Sequence, residues 1–130
     1  MSTTIPDIPV SELPGYAEVA EIVAGRPLHH FGGVVSFCYS RQVVGEHSAV
    51  WPCIELVMAE QVAPHRQIGF RFRGVRDVQF SGWGSIVGLF FQSIKSRGWE
   101  DARFEVGDYE QSSIHLYCYE ISVFDPKRVA

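Results

Sequence analysis

Short runs in which apolar and polar residues alternate recur through most of this chain. "CIELVMAEQV" sets Ile54, Leu56 and Met58 against Glu55 and Glu60, and "IGFRFRG" and "ARFEV" repeat the same spacing. Successive side chains of a strand point to opposite faces, so a period of two predicts half-buried strands rather than helices. The chain is therefore expected to fold mainly as sheet.

Four further runs have the composition of strands, namely "GGVVSFCYS", "VRDVQF", "SIVGLFFQSI" and "SIHLYCYEISVF". The last is apolar on both faces, which predicts one central strand. Glycine and proline punctuate the runs as turn residues do, for example at Pro64, Gly74 and Gly107. The sequence therefore predicts a strand-dominated α+β fold, a single, mostly antiparallel sheet of about seven strands with one short N-terminal helix.

That helix is predicted from "YAEVAEIVAG", where Tyr16, Val19 and Val23 recur at helical spacing and Gly25 provides the stop. The segment 1–14 contains three prolines and is expected to form a loose N-terminal arm. With 130 residues, the chain is long enough for one domain with a real core, so residues 1–130 are expected to form a single domain.

Three features favour a cytoplasmic protein. The N-terminal stretch "MSTTIPDIPV" lacks the positive charge and apolar region of a signal peptide. No apolar run approaches the roughly 18–20 residues of a membrane-spanning helix. The three cysteines, Cys38, Cys53 and Cys118, are odd in number and lie in strand-like runs, which predicts buried, reduced thiols.

Formal charge is concentrated in two short segments. Residues 100–110 contain five acidic residues and one basic residue. The net charge of this segment is therefore −4, the same as the net charge of the whole chain. Residues 66–76 contain four arginines and no acidic residue. Such a concentration of charge is informative about the binding partners of a protein rather than about its fold.

The acidic segment has three interpretations: a solvated strand face, a catalytic pair or a docking surface. If "ARFEV" is a strand, Arg103 lies between Asp101 and Glu105 on one face and favours their ionised forms. A general acid needs the opposite, a carboxyl group that stays protonated. No calcium-loop pattern is present. Aromatic residues bracket the acids, as at protein interfaces. The predicted partner-binding surface consists of Trp99, Glu100, Asp101, Glu105, Asp108, Tyr109 and Glu110.

The other candidate sites are weaker. His29 and His30 point apart in an extended chain and lack helpers at metal-ligand spacing, so no metal is predicted. Arg71 and Arg73 could face nucleic acid or pair across strands with Glu55 or Glu60; a pI of about 5.7 argues against nucleic acid. No nucleophile motif or phosphate-binding loop occurs. The sequence therefore predicts a protein that is not an enzyme and needs no cofactor.

The order "LPGYAEVAEIVAGRPLHHFGGVVSF", "FRFRGVRDVQFSGWGSIVGLFF" and "FEVGDYEQSSIHLYCYEISVF" resembles the immunity protein 50 type of bacterial polymorphic-toxin immunity proteins. The likeness spans residues 11–124, but His30 follows His29 where that family has an acidic residue. The resemblance implies a non-enzymatic inhibitor that binds a cognate toxin domain from the same cell. The alternative is a small-ligand-binding or homo-oligomeric assembly domain, for example a homodimer, that uses a sheet face with Trp51, Trp83 and Phe90.

Overall fold

The computed structural model describes residues 7–24, 26, 28–44, 49–81, 86, 88–98, 100, 102–109 and 113–128, with the side chains of His29, Val44, Ala49 and Arg128 left out. Within these residues the chain forms one α-helix, α1 (Tyr16–Val23), and eight strands. The strands are β1 (Gly33–Val44), β2 (Ala49–Ala59), β3 (Gln67–Arg73), β4 (Arg76–Phe80), β5 (Leu89–Ser93), β6 (Phe104–Asp108), β7 (Ile114–Cys118) and β8 (Glu120–Phe124). Four short 3₁₀ turns are Val10–Glu12, Leu28–His30, Lys95–Arg97 and Pro126–Arg128.

The strands divide into two four-stranded antiparallel sheets. One has the order β1-β2-β3-β8 and the other the order β4-β7-β6-β5. The predicted strand-dominated α+β fold is confirmed. The prediction of a single sheet differs from the structure, because the strands separate into two sheets that pack through their apolar faces.

The division arises at Tyr119. The run "SIHLYCYEISVF" was predicted as one strand, but it forms β7 and β8, which belong to different sheets. The buried positions are Leu116 and Cys118 before Tyr119, and Ile121 and Val123 after it. The alternation therefore changes phase by one residue at the crossing. Two half-buried strands of opposite phase read in sequence like one strand that is apolar on both faces.

Phenylalanines join the two sheets at the centre of the core. Phe70 and Phe72 of β3 point toward Phe91 of β5, with ring centroids 5.5 and 6.5 Å apart. All three side chains are fully buried. Removing each of them from water stabilises the fold by roughly 1.5–3 kcal/mol.

The N-terminal segment is docked rather than loose from Asp7 onward. The backbone N–H of Ile8 donates to the carbonyl of Phe91 at 2.7 Å, and Leu13 is buried in the core. The backbone N–H of Val123 donates to the carbonyl of Pro14 at 2.9 Å. The predicted loose arm is therefore wrong for residues 7–14, because both strand edges offer backbone groups to it; residues 1–6 lie outside the described residues. The helix prediction is confirmed, with Val19 and Val23 buried.

Two of the three cysteines are buried, as predicted, and the third is not. Burial raises the pKa of the Cys118 thiol well above its usual range, and Cys53 is also buried. Cys38 is exposed, because it lies opposite Glu55, on the outer face of its sheet. None of the helices in the described ranges is long and apolar enough to cross a membrane.

Candidate functional site

The predicted acidic surface is only partly present as exposed charge. Trp99, Asp101 and Glu110 lie outside the described residues. Glu100 and Tyr109 are exposed. The two remaining acids, Glu105 and Asp108, are committed to contacts within the protein, so the described part of the segment is not a continuous acidic patch.

Asp108 closes the hairpin between β6 and β7. It is only 7% exposed, and its Oδ1 accepts hydrogen bonds from the backbone N–H groups of Ser113 at 3.2 Å and Ile114 at 3.3 Å. Its surface placement, expected from the sequence, is therefore wrong. A carboxylate at the end of a strand can accept hydrogen bonds from the free backbone N–H groups that follow the next turn. Here these hydrogen bonds hold the Asp108 side chain out of solvent.

Glu105 is held between two basic groups. Its Oε2 lies 2.7 Å from Nε2 of His115, and its Oε1 accepts a hydrogen bond from Nη2 of Arg97 at 3.3 Å. The side chain is 17% exposed, so these two contacts hold it largely out of solvent. Arg103 directly precedes β6, and its guanidinium lies 4.3 Å from the centroid of the Tyr119 ring.

The arginine-rich strand is explained in part by cross-strand pairing. Nε of Arg71 donates to Oε2 of Glu55 at 2.8 Å across the β2–β3 pair, which confirms that pairing. Glu60 is not available to β3, because its buried carboxylate lies 3.5 Å from Arg26 and accepts the backbone N–H of Arg66 at 3.0 Å.

The aromatic residues predicted to share one sheet face do not do so. Trp51 belongs to β2 and packs edge-on against Tyr119, whereas Phe90 belongs to β5 in the other sheet and packs against Tyr109. Trp83 lies outside the described residues. The expected aromatic face is therefore wrong for the pair that the structure describes.

The histidine turn contains no assembled ligand set among the described residues. No group of three or more His, Cys, Asp or Glu side chains lies close enough there or elsewhere in the described ranges to hold a metal ion. His30 is exposed at the end of a 3₁₀ turn, and the side chain of His29 is not described.

Three of the four sheet edges are covered or blunted. The edge of β8 receives the segment before α1 through the Val123–Pro14 hydrogen bond, and the edge of β5 receives Ile8. The β4 edge is five residues long, and its pairing with β7 is irregular between Arg76 and Gln79. Short, irregular or covered edges are the usual protection against unwanted strand pairing.

The fourth edge, β1, lacks this protection. The strand has 12 residues and pairs with β2 on one side. Among the described residues, no backbone hydrogen bond from an element other than β2 reaches residues 34–43. Val35, Tyr39 and Val43 are 52%, 60% and 69% exposed, and Arg41 is the one charged residue of the strand. This apolar strand edge, residues 34–43, is called the β1 edge below.

The β1 edge does not stand out in the sequence, because its strand begins as a continuous apolar run, which is also typical of inner strands. The last nine residues of the strand, "SFCYSRQVV", carry the signal that could have identified it. Small and polar residues alternate there with Phe37, Tyr39 and Val43, and Arg41 interrupts the apolar series. An interrupted alternation indicates a strand that leaves the core, but periodicity does not distinguish an edge strand from an inner one.

A scan of protein-family models finds no match to this chain, and searches of curated proteins and of solved structures find no similar protein.

Proposed function

We propose that the protein is a non-enzymatic binding protein that captures a partner protein along the β1 edge. The observation that carries this proposal is a contrast among the described residues: none of them adds a backbone hydrogen bond to the outer side of the apolar β1 edge, whereas the other three edges are covered, short or irregular. An extended segment of the partner adds to the sheet through main-chain hydrogen bonds. Alternate side chains such as Tyr39 and Val43 then provide the specificity.

The partner class that we propose is a toxin domain produced by the same bacterial cell. The immunity-protein resemblance supports this choice, as does a net charge of −4, which favours encounter with a basic surface. Toxin domains that act on nucleic acids need such basic surfaces to hold phosphates. In this proposal the protein works in the cytoplasm as an immunity-type inhibitor, and exposed Glu100 and Tyr109 provide additional contacts.

The test compares three baits made from the full chain. The first is the wild type, the second carries Tyr39→Lys and Val43→Lys, and the third carries Val62→Lys. Val62 is the matched control because it is an exposed apolar residue, 70% accessible, in the loop after β2 and outside the β1 edge. Lysine on an edge strand opposes strand addition. Partners are captured from the lysate of the producing cell, identified, purified and titrated against each bait.

Binding of one toxin-domain partner that is weakened at least about tenfold by the double substitution and unchanged by Val62→Lys supports the proposal. Equal binding by all three proteins contradicts it. A matched Glu100→Lys variant measures the contribution of the remaining acidic surface, which we expect to be smaller.

A second copy of the chain is the competing occupant of the β1 edge. Light scattering over a range of protein concentrations distinguishes the two. A wild-type dimer that the double substitution converts to a monomer assigns the β1 edge to self-association and contradicts the inhibitor proposal. A wild-type monomer, with the partner dependence described above, supports it.

A further inference from the structure

A cavity lies at the crossing between the two sheets, away from the β1 edge. Its volume is about 500 Å³, within the range of sites for small molecules. It opens to solvent between the N-terminal segment, the end of β3 and the start of β8. Its lining includes Glu12, Leu13, Arg73, Arg103, Glu120 and Ile121.

Arg73 is the unusual member of this lining. Its Nε is buried and has no hydrogen-bond partner among the described protein atoms. No described carboxylate lies within ion-pair distance of its guanidinium, including that of Glu120, its cross-strand neighbour. A buried, charged donor without a partner is costly, and native proteins rarely keep one without a use.

A comparison with Arg71 shows why Arg73 has no carboxylate partner across the β2–β3 pair. Arg71 and Arg73 lie on the same face of β3, two residues apart. The β2 residue opposite Arg71 is Glu55, which pairs with it, whereas the residue opposite Arg73 is Cys53, which has no carboxylate. The sheet therefore neutralises one arginine and leaves the other available to the cavity.

A second guanidinium lies in the same lining. Arg103 stacks on the ring of Tyr119, with 4.3 Å between the guanidinium carbon and the ring centroid, and no described carboxylate pairs with it. The stacked ring restricts the orientation of the guanidinium. Planar guanidinium groups match the geometry of a carboxylate better than that of any uncharged head group.

The rest of the lining limits the ligand class. Glu12 and Glu120 are both exposed, and together with the two arginines they leave the cavity with no net formal charge. Such a cavity disfavours polyanions such as nucleotides, because two carboxylates would repel the additional charges. Ile8, Leu13 and Ile121 supply an apolar wall. A single carboxylate on an apolar body satisfies both parts of the lining.

We propose that this cavity binds a small monocarboxylate with an apolar body, and that Arg73 receives the carboxylate. This site is independent of the proposed partner binding at the β1 edge, and either can fail without the other.

The test uses sodium octanoate as the probe and octanamide as its uncharged counterpart, both titrated into the isotopically labelled full chain. Amide shifts in NMR spectra report the site and the affinity. We expect saturable octanoate binding with a Kd of about 1 mM or tighter, shifts centred on Phe104 and Ile121, and octanamide binding at least about tenfold weaker. Inorganic phosphate, an anion without an apolar body, is expected to bind more weakly than octanoate.

The deciding variant is Arg73→Met, and Arg71→Met is its matched control in the same strand. Arg73→Met is expected to weaken octanoate binding at least about tenfold. It is expected to leave the unfolding midpoint unchanged or higher, since it removes a buried Nε that has no described hydrogen-bond partner. Arg71→Met is expected to keep the wild-type affinity. The proposal is overturned by absence of saturable octanoate binding, by equal binding of octanoate and octanamide, by shifts that map elsewhere, or by unchanged affinity in Arg73→Met.

Discussion

Three acidic residues that lie close together in the sequence have different surroundings in the structure. Asp108 is buried in a hairpin, Glu105 is held by Arg97 and His115, and Glu100 remains exposed. The difference follows from position, because the last residue of a strand can reach the N–H groups of the next turn and a residue outside the ladder cannot. At the scale of single residues, charge density in the sequence therefore overstates charge on the surface.

Asp108→Ala is expected to lower the free energy of unfolding by about 1–3 kcal/mol. The substitution leaves the buried backbone N–H groups of Ser113 and Ile114 without their acceptor, and an unsatisfied buried donor carries a desolvation cost of that size. Urea denaturation monitored by circular dichroism measures the change.

Glu100→Ala is the control for this prediction, since it removes an exposed acid from the same segment. Its effect is expected to stay within about 0.5 kcal/mol. Equal effects of the two substitutions would mean that the Asp108 hydrogen bonds do not stabilise the hairpin.

At the scale of elements, the sequence was informative about strands and helix and uninformative about their neighbours. The helix Tyr16–Val23 and the runs that form β2 and β3 follow directly from periodicity. The phase change at Tyr119, which separates β7 from β8, changes no residue class and gives no local signal. The β1 edge, and the lack of a described carboxylate beside Arg73, depend on which strand lies opposite, for example Cys53 rather than a glutamate, and such pairing is nonlocal.

Aromatic rings cover glycines across neighbouring strands on the outer faces of both sheets. A Cβ added at Gly69 of β3 would overlap the ring of Phe124 on β8, and one added at Gly107 of β6 would come within 2.7 Å of the ring of Phe90 on β5. The absent side chain lets the ring lie flat on the strand. These pairs help to fix strand register, which periodicity alone leaves open.

Gly69→Ala is expected to lower the free energy of unfolding by about 1–2 kcal/mol, because the ring of Phe124 must move away from both the strand and the Arg71 guanidinium above it. In a Phe124→Leu background the same substitution is expected to cost less. A thermodynamic cycle of the single and double variants gives the coupling.

Gly33→Ala is the matched strand glycine for this cycle. Its added Cβ would meet the Ala59 carbonyl oxygen at 3.4 Å, which is ordinary contact. An effect of Gly69→Ala that persists in full without the Phe124 ring would contradict the proposed steric cause.

At the scale of the whole molecule, two sheets share one core, and that sharing determines how the fold loses structure. Phe91 contributes from β5 to a cluster with Phe70 and Phe72 from the opposite sheet. The crossing at Tyr119 and the docked N-terminal segment also join the two layers. We therefore expect one cooperative unfolding transition, with the same midpoint by circular dichroism and by tryptophan fluorescence.

Phe91→Ala tests this at the point where the sheets meet. The side chain is 1% exposed, so its removal is expected to lower the free energy of unfolding by about 3–5 kcal/mol through lost burial and the cavity left behind. Phe90→Ala, next in sequence but on the outer, half-buried face, is expected to cost clearly less. If the sheets were independently stable, Phe91→Ala would separate the unfolding transitions seen by circular dichroism and by tryptophan fluorescence. If they form one unit, both midpoints shift together, because neither sheet can keep its apolar face covered without the other.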